Sequence, residues 1–228
     1  SLPAENPDAI RSRNDLRRVN AWMGHHRILT RALNSLPANK VRRIVELGAG
    51  DGTFALSLAT QLNQRWPNVE ITLLDQQNIV AGETLDGFHR VGWKPCVVRA
   101  DVFDWLTTTS QSTNLIIANL FLHHFDDPQL HRLLRMASVR CTHFVVLEPR
   151  RHPIVRLGCE LLWLIGCSRI TRHDARASVR AGFCEQELSS LWPNAGAPVS
   201  DPAAFEWSVR EEPAGLFSHL FVATRNPP

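Results

Sequence analysis

The sequence predicts an α/β fold, a mostly parallel sheet with helices on both faces. Three observations carry that prediction. The apolar run Ile44, Val45 and Leu47 ends in glycines at alternate positions, Gly48, Gly50 and Gly52. A helical pattern then opens at Thr53 and continues through Phe54, Leu56, Leu58, Ala59 and Leu62. Strand, glycine loop and helix form a nucleotide-sized crevice at the carboxyl end of a first strand, because glycine permits the tight turn and a close backbone approach to a ligand. Further apolar runs of strand length alternate with helical patterns as far as Glu148. Finally, two strand-like runs meet at Pro213-Ala214-Gly215 and close the chain as a hairpin.

The glycine spacing separates two ligand classes. A dinucleotide fingerprint requires G-x-G-x-x-G, and Thr53 stands where its third glycine belongs. The pattern present is E-x-G-x-G-x-G with Glu46 at its head. It resembles motif I of the class I S-adenosylmethionine (SAM) methyltransferases. The resemblance implies that Gly48, Ala49 and Gly50 pass beneath the methionine part of SAM, with Glu46 near its amino end. A plain strand-to-helix turn is the alternative for these residues.

In chain order, residues 8 to 35 read as one or two helices. Leu16, Val19, Trp22, Met23, Ile28, Leu29, Ala32 and Leu33 are apolar and arginines lie on other faces. Gly24 breaks or bends the run and Pro37 ends it. This segment stands where many methyltransferases carry a helical cap, and 20–27 loosely resembles the cap of the UbiE-like quinone methyltransferases. An amphipathic helix packed on the sheet is the plainer reading. The first strand is expected at about 42–47 and its helix at about 52–64. The second strand, 69–75, ends in Asp75. In this fold an acid there accepts hydrogen bonds from the ribose hydroxyls. The resemblance gives Asp75 that role, with Gln76 beside it, although an Asp ending a strand also serves as a helix cap.

A helix is expected at about 77–86, stopped by Gly87, and a third strand starts at Cys96. Asp101 and Val102 match the acid and apolar neighbour that methyltransferases place against adenine; a solvated loop Asp is the alternative. The fourth, central strand is 114–119. It runs through Asn119 and Leu120, assigned by the resemblance to the cofactor, into Leu122-His123-His124. That L-H-H tripeptide resembles the UbiE-like small-molecule group. Amino methyltransferases of DNA carry an N-P-P-Y type motif here, which Asn119-Leu120-Phe121-Leu122 lacks. The resemblance implies that His123 and His124 fall near the methyl group, yet paired histidines are also ordinary starting residues for the helix at 127–138.

The fifth strand is 144–148. An almost wholly apolar helix follows at 154–166, within the stretch 150–185 where methyltransferases insert a substrate lid. It suggests a hydrophobic substrate or contact with a membrane surface, unless it is simply buried on the sheet. His173-Asp174 can pair as a base and its partner, or Asp174 can cap a helix. A helix at 184–192 and strands at 205–210 and 216–224 complete the chain. With the hairpin, the resemblance gives a Rossmann-like seven-stranded sheet of order 3-2-1-4-5-7-6, last strand antiparallel, in one domain spanning 1–228.

Composition narrows the partners. At 228 residues, 44% hydrophobic and 21% charged, the chain is globular and long enough for a single core. A net charge of +3 is too mild to argue for nucleic acid. Tyr is absent, so no tyrosine serves as a base. The five cysteines show no zinc spacing, and free thiols in a reducing cytosol are expected. No signal-peptide pattern opens the chain, and its longest apolar run, 161–167, falls short of the ~20 residues that span a bilayer.

The expected function is methyl transfer from SAM to an oxygen or carbon of a small aromatic, quinone-like or polyketide-derived molecule in secondary metabolism. Candidate bases are His124, His123 and His173, in that order, since histidine titrates near neutrality. No metal is expected. The rivals are a non-catalytic SAM-binding or interaction protein, an RNA methyltransferase using Arg11, Arg13, Arg17 and Arg18, and an NAD-dependent oxidoreductase.

Overall fold

The computed structural model describes residues 15, 18–19, 23–36, 41–155, 169–193 and 206–226, the side chains of 169–174 excepted. Its helices are α1 (His25–Asn34), α2 (Thr53–Leu62), α3 (Gly82–Arg90), α4 (Val102–Thr108), α5 (Asp127–Ser138), α6 (Arg169–Ala181) and α7 (Glu187–Leu191). The strands are β1 (Arg43–Leu47), β2 (Glu70–Asp75), β3 (Lys94–Arg99), β4 (Thr113–Asn119), β5 (Cys141–Pro149), β6 (Trp207–Ala214) and β7 (Ser218–Arg225). They form one sheet of order β3-β2-β1-β4-β5-β7-β6. The first five are parallel, and β7 runs antiparallel to both β5 and β6. The sheet order is the one expected.

The central strands are apolar on both sides because both faces are covered. Leu115, Ile116, Ile117 and Ala118 of β4 are all buried, as a doubly covered parallel strand requires. On one face Ile44, Ile71, Leu115 and Ile117 pack with Leu29 and Leu33 of α1 and Leu58 and Leu62 of α2. On the other, Val45, Ile116, Val146 and Phe221 pack with Leu106 of α4, Leu130 and Leu134 of α5, and Leu188 of α7. Gly24, at φ 68, starts α1 and so marks the bend expected there. Asp126 starts α5 through a reciprocal bond with Gln129, an arrangement that satisfies two exposed donors at once.

Several boundaries differ from expectation. Helix α3 runs from 82 to 90, and Gly87 lies inside it rather than ending it. A Cβ there would meet Leu56 Cδ2 at 2.6 Å, so the glycine serves close packing of α3 on α2. Strand β3 begins at Lys94-Pro95, and β6 continues through Pro213 and Ala214, expected as a turn. Both are edge strands, where a missing N–H costs no ladder bond. Helix α7 starts three residues later than expected, after Glu185 at φ 51. The two histidines sit in a separate 3₁₀ turn, Leu122–His124, rather than opening α5. The apolar helix expected at 154–166 falls largely outside the described residues, as does most of 8–22.

Candidate functional site

The carboxyl ends of β1, β2, β3 and β4 surround one cleft of about 590 Å³, within the range of small-ligand sites. Its position follows from strand order. The chain steps outward from β1 to β2 and β3, then returns across β1 to β4, and the connecting loops diverge at that reversal.

Gly48 leaves β1 at φ 69, and a Cβ on it would stand 2.3 Å from Cδ2 of Phe121. Only glycine combines that backbone with that approach. The loop is tied to β2 twice: Ala49 N donates to the Leu74 carbonyl at 3.0 Å, and Gly50 N to Asp75 Oδ2 at 2.9 Å. Asp75 Oδ1 accepts from Gln77 N at 2.8 Å. Each carboxylate oxygen thereby holds one backbone donor and keeps a second acceptor site.

Asp101 caps α4, its Oδ1 accepting from Phe103 N at 2.8 Å, while its Oδ2 accepts from Gln76 Nε2 at 2.9 Å. Leu120, at φ 55, turns the chain sharply after β4. Phe121 and Phe125 meet edge to face at 5.1 Å, as do Phe125 and Phe103 at 5.6 Å, giving the cleft an aromatic wall.

Of the residues expected at the site, Gly48, Asp75, Gln76, Asp101, Val102, Leu120 and His124 line this cleft. Glu46, Ala49, Gly50, Asn119 and His123 do not line it. Glu46 is fully buried and its Oε2 has no hydrogen-bond partner. Burial, then the nearby Asp51 and Asp75, push its carboxyl well above the usual carboxylate range. An orphaned acid beside the glycine loop is a place for a cationic group. The residues therefore fit a nucleoside joined to an amino acid: a glycine cradle, a carboxylate with free acceptor sites, and a buried acid for an ammonium.

His123 and His124 diverge. His123 is buried, with Nδ1 2.7 Å from Glu148 Oε2. Glu148 Oε1 also accepts from Phe121 N and Leu122 N, at 2.8 and 2.7 Å. One carboxylate at the end of β5 thus shapes the whole turn after β4. The ring of His124 lies 4.1 Å from that of His123. Burial lowers its pKa, His123 lowers it further, and Glu148 opposes the shift. His124 is consequently neutral near pH 7 and able to accept a proton. His173 lies within α6, but its side chain is outside the described residues.

Sequence reasoning passed over Glu148 and His25. The signal for Glu148 was an acid inside an apolar strand, just before Pro149. His25 carried only its place in the cap segment, yet it is fully buried and bonded to Asn119 and Ser218. Among the described residues no group of His, Cys, Asp and Glu is arranged to hold a metal ion.

Residues 17–176 match a family described as "Methyltransferase domain". No curated protein matches the chain by sequence. Several solved structures share its fold. The plantazolicin methyltransferase BpumL, in complex with SAH, is similar over 97% of this chain and 92% of its own, at 12% identity and TM-score 0.65. The mitomycin 7-O-methyltransferase MmcR is similar over 97% of this chain and 59% of its own, at 16% identity and TM-score 0.59. For an O-methyltransferase family protein from Burkholderia thailandensis the values are 98%, 64%, 14% and 0.59. The chain therefore spans less than two thirds of these two O-methyltransferases.

Proposed function

Since the chain belongs to the SAM-dependent methyltransferase domain family, we propose that it methylates an oxygen or carbon of a small, hydrophobic, aromatic or quinone-like acceptor. The observation that carries the reading is the cleft over Gly48, bounded by Asp75, Asp101, the phenylalanine wall and His124. The L-H-H tripeptide, shared with the UbiE-like small-molecule group, supports it. So do the structural neighbours, which include mitomycin 7-O-methyltransferase and a pyocyanin biosynthetic protein. Apolar rings beside a neutral imidazole suit a phenol better than a charged polymer.

Bound SAM supplies an electrophilic methyl group on sulfur. The glycine loop gives backbone access beneath the amino-acid part, and the ammonium supplies the buried Glu46 carboxyl with the counter-charge that lets it ionise. Asp75 accepts the ribose hydroxyls on its remaining lone pairs. Asp101 and Val102 flank adenine. The protein's main contribution is orientation, since fixing two reactants in near-attack geometry is worth up to roughly 7–11 kcal/mol. His124 takes the acceptor's proton, and the His123–Glu148 pair behind it fixes the turn that carries both rings.

The test is S-adenosylhomocysteine (SAH) binding, followed by a screen of phenols and hydroquinones with radiolabelled SAM. Label transferred to a small phenol supports the proposal. Binding of SAH with transfer only to RNA or protein would overturn the acceptor class.

A further inference from the structure

The buried side chain of His25 joins three segments that are distant in sequence. Its Nδ1 donates to Asn119 Oδ1 at 2.9 Å, and its Nε2 lies 3.0 Å from Ser218 Oγ. His25 opens α1, Asn119 ends β4 and Ser218 opens β7. Because Nδ1 carries the proton, Nε2 accepts from the serine hydroxyl.

Serine to imidazole Nε2, and Nδ1 to a side-chain carbonyl, is the connectivity of a nucleophile triad. Here it cannot serve one. Ser218 is 1% exposed and His25 is 0% exposed, so no acyl carbon reaches the hydroxyl. The chain of bonds instead acts on its third member. Asn119 follows Ala118, which pairs with Leu47 across β1, and so stands beside Gly48. Alternation puts its side chain on the same face as Ile117, the face that also carries Ile44 and Glu46. That is the side where the orphaned Glu46 carboxyl lies. With the carboxamide oxygen taken by His25, the amide nitrogen makes no bond to any described residue and is left to donate.

We infer that His25 is a positioning residue, holding the Asn119 carboxamide so that its nitrogen donates to the carboxylate of the cofactor's amino-acid part. The inference rests on the proposed cofactor site. Glu46 takes the ammonium and Asn119 the carboxylate, so the two ends of the zwitterion are read by adjacent strands. The cap helix α1, which lines no part of the cleft, contributes through this one imidazole.

The test compares two ligands, SAH and 5′-methylthioadenosine, which shares the nucleoside and sulfur but lacks the amino acid. In His25→Ala and in Asn119→Ala, SAH affinity is expected to fall about tenfold, the size of one lost hydrogen bond to a charged group. Methylthioadenosine affinity stays at the wild-type value, and the double variant loses no more than either single one. Equal weakening of both ligands would show a merely structural role and overturn the inference, as would unchanged SAH affinity in folded protein. Asn119→Ala keeps the test decisive if His25→Ala fails to fold. Wild-type protein that binds neither ligand would instead refute the cofactor site itself.

Discussion

At the residue scale, the two adjacent histidines are sorted by their surroundings. His123 is sealed and bound to Glu148, whereas His124 lines the cleft with its pKa lowered by burial and by its neighbour. Replacing His124 by Ala is expected to cut turnover by about 10²–10⁴, the usual worth of a positioned general base, with SAH affinity unchanged. A base must be unprotonated to act, and lowering its pKa keeps it so to lower pH. The acid limb of the turnover profile is therefore expected below the ordinary histidine value of 6.5. A limb above that value, or full turnover in His124→Ala, would remove His124 from the mechanism. The sequence made the histidine pair visible but not its division of labour, which depends on Glu148, 25 residues away from His123. The places of Gly48, Asp75 and Asp101 on the cleft were legible because the motifs that the resemblance rests on sit at strand ends. His25 was not, since both its partners, Asn119 and Ser218, are remote in the chain.

At the scale of elements, helix α1 is pinned by a neutral buried imidazole. Burial lowers the pKa of His25 from 6.5 to about 4, with bonded Asn119 and the charge of Glu148 opposing the shift and His26 adding to it. The unfolded chain binds a proton between these values that the folded chain refuses. Stability from this group is thus complete above pH 6.5 and is lost as pH falls toward 4, on the order of 3 kcal/mol in total. Denaturant melts of wild type across pH 7 to 4 should show that decline, and His25→Gln should flatten it. A second contact fixes the end of α6. Gly182 follows α6 so closely on β5 that a Cβ would lie 2.2 Å from the Pro149 carbonyl, beside the 2.9 Å bond from Phe183 N to that same oxygen. Backbone cannot yield as a side-chain tip does, and Gly182→Ala is expected to cost about 1–3 kcal/mol in chemical denaturation. Unchanged stability would contradict the close approach. The element errors share a cause as well: the third strand was started after Pro95 and Pro213 was read as a turn, whereas edge position admits both prolines, and nothing local says which strand is an edge.

At the scale of the whole molecule, the sheet order was legible because the glycine loop, the succession of strands and the closing hairpin resemble one family, and the resemblance brings its topology with it. That topology places the reversal between β1 and β4, and the reversal places the cleft. The acceptor is less legible: the apolar segment expected to shape its pocket lies largely outside the described residues. The central claim is that this cleft binds the methyl donor with Asp75 on the ribose. The most direct measurement is calorimetric titration of SAH into wild-type protein and Asp75→Ala. The account predicts micromolar binding to wild type and at least tenfold weaker binding to a variant that melts at nearly the same temperature. No binding to well-folded wild-type protein, or equal affinity in the two, would contradict it.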